Sequence, residues 1–375
     1  MKFRSVRTPS AWLRAGGVCL GVAGCLAGGV FAQEAFVMDE LQAERVVVAP
    51  GGYFPRMEIL KNGDLLVSVK AGAAHVGKTG RVDLVRSTDG GRTWGKPVTV
   101  FDLPGRDDAI DAMGRLSDGT VIAGIVSYSW AGERYTGKGW SADTWVIRSS
   151  DNGHTWTEPV KLEATPHDWL YPFGRPVELE DGTVLLSGYG SALPRDRKTP
   201  TTSWVVRSRD GGKTWGEYAP VATRFDELCI ARLPSGKLVA VLRATGGSTS
   251  LSFSSDGGRT WSETRRLTEK AEHPGDLLVL ADGRLLATFG VRHQPYGVQA
   301  MFSRDEGETW STKKRILLAW DGDHGDLGYP VSIQRPDGRI VTAYYIVYGE
   351  RDSYGDKGVA MKNSFTKAVI WSPPR

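Results

Sequence analysis

A chain of 375 residues with 40% hydrophobic content can bury a large core, and its length admits one large domain or two ordinary ones. Its formal charge of +4 resides in the first 32 residues, where Lys2, Arg4, Arg7 and Arg14 meet no acid. The remainder is neutral, which argues against nucleic acid as a partner.

In residues 1–32 the basic positions precede a small, apolar run from Ala15 to Val30, the pattern of a secretory signal. Cleavage before Gln33, after Val30-Phe31-Ala32, is the favoured end, and Val22-Ala23-Gly24-Cys25 is the alternative, resembling a lipobox that would lipidate Cys25. The run is short and glycine-rich, so no transmembrane span is expected in the mature chain. The expected location is outside the cytoplasm, periplasmic or secreted, with anchoring through Cys25 as the variant. After cleavage only Cys229 remains, inside the apolar run Leu228-Cys229-Ile230-Ala231, and it reads as a buried structural thiol. Residues 33–44 read as a short linker and 45–375 as one domain.

That domain repeats two phrases. The first is a polar-Gly turn followed by an aliphatic strand, at Asn62-Gly63, Asp118-Gly119, Asp181-Gly182, Ser235-Gly236, Asp282-Gly283 and Asp337-Gly338. The second is Ser-x-Asp-x-Gly-x-Thr-Trp, at residues 87–94, 149–156, 208–215, 254–261 and 303–310. Its Asp offers a carboxylate to nearby backbone N–H groups, its Gly takes an angle other residues resist, and its Trp anchors a neighbouring unit. Six hairpins of the first kind, five followed by one of the second, predict an all-β protein: a six-bladed β-propeller of four-stranded antiparallel blades. The strand Arg45-Val46-Val47-Val48 has no sheet of its own and is expected to pair into the last blade, closing the ring and covering an edge. A seventh blade is the alternative, but no seventh turn is found.

The turns also locate a site. Residues seven to nine before or after each turn lie a strand length away, at the opposite end of the ring. Before the turns these are Arg56, Asp111, Arg175, Glu227, Asp276 and Tyr329; after them come Lys70, Tyr128, Tyr189, Arg243, Arg292 and Tyr344 or Tyr345. Arginines around a Glu and a Tyr suit an anionic sugar, because each guanidinium fork matches a carboxylate.

The Ser-x-Asp-x-Gly-x-Thr-Trp phrase resembles the Asp box, or BNR repeat, of the sialidase superfamily, and the resemblance covers essentially residues 45–375. It implies an exo-acting glycoside hydrolase that removes a terminal sialic acid or related acidic sugar from glycans without a cofactor or metal. Phe54-Pro55-Arg56-Met57 is similar to the phrase that carries the first arginine of the family's triad, with altered order. Arg243 and Arg292 match the other two, while Glu227 and Tyr329 match the base and the nucleophile it activates. Asp111 and Arg175 complete the expected substrate-binding set. The family's acid is an Asp on the loop after the first hairpin, and residues 70–78 contain none. His75 is the candidate in that loop, Asp83 the alternative, and Asp107, Asp108 and Asp111 are other acids that could reach in.

Two rival readings keep the fold. A polysaccharide lyase would use His and Tyr beside arginines to remove a proton next to a uronate carboxylate, and a propeller that only binds glycans would need no converging rim. His167-Asp168-Trp169-Leu170-Tyr171 is either a sugar-stacking platform or a packed loop. Asp321, Asp323 and Asp326 read as a tight acidic turn rather than a calcium loop, and the scattered His273, His293 and His324 do not suggest a metal site.

Overall fold

The computed structural model describes residues 35–36, 43–132, 139–192, 199–349 and 363–374. The chain divides into residues 1–33 and 34–375. The first unit, with the signal-like segment and Cys25, lies outside the described residues.

The second unit is a ring of six antiparallel sheets, as the repeats predict. Blade 1 consists of Tyr53–Ile59, Leu65–Ala71, Arg81–Ser87 and Val98–Phe101, and blade 2 of Asp107–Arg115, Val121–Ser129, Ser141–Ser149 and Val160–Lys161. Blade 4 runs through Phe225–Arg232, Leu238–Ala244, Thr249–Ser254 and Arg265–Arg266; blade 5 follows with Glu272–Val279, Leu285–Val291, Gly297–Ser303 and Arg315–Ala319. Blade 6 joins Leu327–Gln334, Ile340–Val347 and Ser364–Trp371 to Glu44–Pro50, the N-terminal strand, which pairs antiparallel with the last.

Blade 3 departs from the pattern. Its second to fourth strands are Val184–Ser191, Thr202–Ser208 and Gly216–Thr223, but its innermost strand is split into Trp169–Pro172 and Val177–Glu178. Between the pieces Gly174, at φ +90°, turns toward blade 2: its N–H donates to Asp111 O and its carbonyl accepts from Met113 N. A Cβ there would lie 2.8 Å from Leu228 O, so only glycine fits. The expected linker also contains structure, since Ala35–Phe36 adds a short parallel strand to the edge of blade 5.

The core lies between blades. Trp156 packs against the apolar cluster shared by blades 1 and 2, Trp215 against that of blades 2 and 3, and Trp261 against that of blades 3 and 4. Each Asp box therefore clasps its blade to the preceding one. Gly212, at φ +83°, shows how close the approach is: a Cβ would stand 2.6 Å from Ile122 of blade 2.

The clasp is rigid because its carboxylate is saturated. Ser87 Oγ donates to Asp89 Oδ1 at 2.8 Å, and Asp89 also accepts from the Arg92 and Thr93 N–H groups and the Thr93 hydroxyl at 3.0, 2.9 and 2.6 Å. Asp151, Asp210, Asp256 and Asp305 repeat the Ser and Thr bonds. What burial Asp89 has works against its charge, but the bonds from Thr93, Ser87 and Arg92 outweigh it and hold the carboxyl at about 2.

A carboxyl depressed by folding stabilises the fold above its unfolded value near pH 4, and the effect fades as pH falls toward 2. Asp89→Asn is thus expected to lower Tm at pH 7 by about 2–5 °C, with the gap to wild type narrowing below pH 4. Thermal melts across that range would refute the assignment if the gap stayed constant.

Candidate active site

The innermost strand of every blade is interrupted at the same level. Register shifts fall between Tyr53 and Arg56, Ile110 and Ala112, Asp226 and Leu228, Glu272 and Gly275, and Gly328 and Val331, while blade 3 breaks between Pro172 and Val177. An extra residue in one strand bends it and re-aims a side chain. Here the extra positions include Asp111, Glu227 and Tyr329, turned toward one end of the ring. Phe54, Glu227 and Tyr329 hold positive φ angles of 49°, 26° and 50°, a conformation that costs non-glycine residues about 1–3 kcal/mol each and persists only when packing enforces it.

These residues wall a cleft of about 260 Å³, together with His75, Tyr128, Tyr171, Tyr189 and Arg243. At its floor the Tyr329 hydroxyl donates to Glu227 Oε1 at 2.5 Å. Arg243 Nη1 lies 2.8 Å from Glu227 Oε2, and its Nε and Nη2 bind Asp226 as a fork, at 2.6 and 2.8 Å. Burial pushes Glu227 up to about 7 against the pull of Arg243. Burial, followed by the nearby Glu227 charge, keeps Tyr329 far above its usual range, so its phenol is neutral at rest. A neutral hydroxyl held by a poised carboxylate has the contact through which a base can take its proton.

Arg56 and Arg292 stand behind the cleft wall. Arg56 lies over the Phe173 ring at 3.9 Å and 3.9 Å from Asp111, too far for a hydrogen bond; Arg292 lies 5.7 Å from the Tyr329 ring centre. In each guanidinium Nε and Nη2 are buried without a hydrogen-bond partner among the described residues. Buried unpaired donors are costly, and an anion that reached them would remove the cost. Burial also raises Asp111 to about 6, against the charges of Arg56 and Lys70.

The His75 loop is bolted to blade 2. Lys70 Nζ donates to His75 O at 2.7 Å and to Asp107 Oδ2 at 2.8 Å, and Gly77 N donates to the same Asp107 oxygen at 2.9 Å. The His75 ring meets the face of Phe54 edge-on at 4.7 Å.

Two residues expected at the site are elsewhere. Asp83 lies on the third strand of blade 1, held by Arg81 and Thr99 and away from the cleft. Arg175, turned by the break at Gly174, spans the ring: it donates to Asp276 Oδ1 at 3.0 Å in blade 5 and to Ser332 O at 2.6 Å in blade 6. It ties blades together and leaves no fork for a substrate. Of the two tyrosines after the last turn, Tyr345 faces the site and Tyr344 belongs to the apolar core of blades 5 and 6. From the His167–Tyr171 segment, Tyr171 reaches the cleft, stacked on Tyr189 at 5.1 Å, whereas Trp169 is buried. Cys229 is buried, and burial pushes its thiol to about 12, in keeping with a structural role. The sequence reading missed Asp226, which orients Arg243; its place directly before Glu227 was the available sign.

Residues 63–342 match the BNR repeat-like domain, and the chain belongs to that family. The sialidase of Bacteroides fragilis is 26% identical over 271 residues, 63% of this chain and 49% of that protein. A Clostridium perfringens sialidase is 24% identical over 55% of this chain and 59% of its own length, so the chain spans roughly half to three-fifths of these curated relatives. Among solved structures, a Dyadobacter fermentans protein of unknown function superposes with a TM-score of 0.75 at 24% identity, covering 88% of this chain and 98% of that one. Trypanosoma rangeli sialidase in complex with the inhibitor DANA gives 0.61 at 13%, covering 86% and 55%. These two likenesses concern the fold.

The Lys70–Asp107 pair carries a stability prediction. Lys70→Met leaves Asp107 buried without its cation and is expected to cost about 3–5 kcal/mol at pH 8. Burial already raises Asp107. Without Lys70 the folded chain gains a proton there as pH falls, so the loss should be smaller at pH 5. Denaturant titrations at both values would contradict the assignment if the loss were equal or larger at pH 5.

Proposed function

We propose that this protein is an exo-acting glycoside hydrolase of the sialidase type, releasing a terminal sialic acid or related acidic sugar from glycans. The observation that carries the reading is the contact of Tyr329 with Glu227, held by Arg243 beside the unpaired donors of Arg56 and Arg292. A sialic acid bears its carboxylate on the anomeric carbon, where a carboxylate nucleophile would be repelled. A neutral tyrosine meets no such repulsion.

In this reading Arg56, Arg243 and Arg292 hold the substrate carboxylate and Asp111 binds the sugar from the side of blade 2. The Tyr329 oxygen attacks the anomeric carbon while its proton passes to Glu227. His75, at the partly exposed edge of the cleft, protonates the departing glycosidic oxygen. Water then releases the sugar from Tyr329, with Glu227 returning the proton. No cofactor takes part. The relatives named sialidases support this chemistry. The convergence of His75, Asp111, Glu227, Arg243 and Tyr329 on one cleft counts against a propeller that only binds. The signal-like pattern of residues 1–32 supports work outside the cytoplasm, in the periplasm or the medium. Among the described residues no helix is long and apolar enough to cross a membrane.

The chain from Gln33 onward is expected to release a fluorescent aglycone from an N-acetylneuraminic acid glycoside. Tyr329→Phe and Glu227→Gln should each lower kcat/KM by about 10²–10⁴-fold; full activity in Tyr329→Phe would sink the mechanism. A new ultraviolet chromophore on digestion of a uronate polymer would favour the lyase instead. Because Glu227 must be ionised to act, activity should fall on the acid side around pH 7 rather than near pH 4. Arg243→Gln should move that limb still higher, and a pH–rate profile with its acid limb near pH 4 would remove Glu227 as the base.

A further inference from the structure

His75 is held by contacts from blade 1, from blade 2 through Lys70, and from Asp326, and they give its two ring nitrogens different tasks. Its carbonyl accepts from Lys70, which is paired with Asp107, and its ring packs against Phe54 and, at 6.2 Å, Tyr53. From blade 6, Asp326 Oδ1 lies 3.2 Å from Nδ1 and accepts the Tyr345 hydroxyl at 2.8 Å. Tyr345 in turn packs beside Tyr329, and Arg292 adds its charge near Asp326. Two elements far apart in sequence thus meet across the seam of the ring. With Nδ1 engaged by a carboxylate, the tautomer is set and Nε2 is the nitrogen left for the cleft.

Burial works against a charge on Asp326, but the hydrogen bond and charge of His75, with the Tyr345 hydroxyl, prevail and hold the carboxyl at about 2. It is therefore an anion throughout the neutral range.

We propose that His75 and Asp326 form a proton-donating pair for the leaving group, His75 giving its proton through Nε2 while Asp326, steadied by Tyr345, positions the ring. The proposal rests on the glycoside hydrolase reading and adds to it a residue that acts through another. As the glycosidic C–O bond breaks, its electron pair goes to the leaving oxygen, which takes the Nε2 proton. The new bond from Tyr329 forms on the opposite side, and the phenolic proton goes to Glu227. The resulting neutral His75 regains a proton from water after the alcohol leaves.

Asp111 is the competing donor, since it too faces the cleft with a raised carboxyl. Position separates them. A leaving glycan must depart toward solvent, and the His75 side chain is 28% exposed, whereas Asp111 is buried beside Arg56.

The test compares two sialosides: an aryl glycoside, whose phenol leaves without a proton, and a sialyl-galactoside, whose alcohol does not. His75→Ala should lower kcat/KM on the galactoside by about 10²–10⁴-fold and on the aryl glycoside by less than about tenfold. Retained aryl activity also shows that the variant is folded. Asp326→Asn should lose activity selectively on the galactoside, to a smaller extent than His75→Ala. Equal losses on both substrates in either variant would overturn the pair while leaving the hydrolase reading intact. Wild-type protein inactive on both would overturn the reading itself and the pair with it.

Discussion

Six strands converging on one axis cannot all remain regular, and the cleft depends on how that crowding is relieved. Each innermost strand gives way at one level, by a bulge in five blades and by a break in the third. Relief at a shared level brings residues from separate blades into one small volume. Three of them carry a positive φ, so part of the folding free energy is stored in aiming Phe54, Glu227 and Tyr329. The Asp boxes at the other end of the first five blades provide the rigidity against which that aim is held.

Buried charge in the ring is sorted by whether it is satisfied. Lys70 with Asp107, and Arg175 with Asp276 and two carbonyls, are closed sets that join neighbouring or opposite blades. Arg56 and Arg292 are open, with two donors each left over. Low-dielectric surroundings strengthen satisfied pairs and penalise open ones. The same environment that locks the scaffold thus makes the open donors of Arg56 and Arg292 costly.

The blade count was legible because every blade is punctuated by a turn with strict chemistry. Strand-length spacing then reached Arg56, Asp111, Glu227 and Tyr329, since one level along the inner strands is one distance from the turns. It gave Arg175 and Asp276 equal standing, because spacing measures height along a strand and not the direction of a side chain. The break at Gly174 decides that direction, and it arises from contact with blades 2 and 4 that no local pattern announces. Asp326 was hidden for a related reason. Among glycines and other acids it reads as a turn, and its partner His75 lies 251 positions away.

The strand that seals the ring has a consequence for how the protein is made. The last blade combines Glu44–Pro50 with Ser364–Trp371, so its edge is complete only after residue 371 has left the ribosome. Until then five blades form an open crescent. The apolar surfaces that blades 1 and 5 later bury against blade 6 stand bare at its two ends. Long-range closure of this kind is slow and leaves such surfaces available for wrong partners. Synthesis of this protein therefore calls on whatever holds unfinished chains apart until the strand Ser364–Trp371 is free to pair.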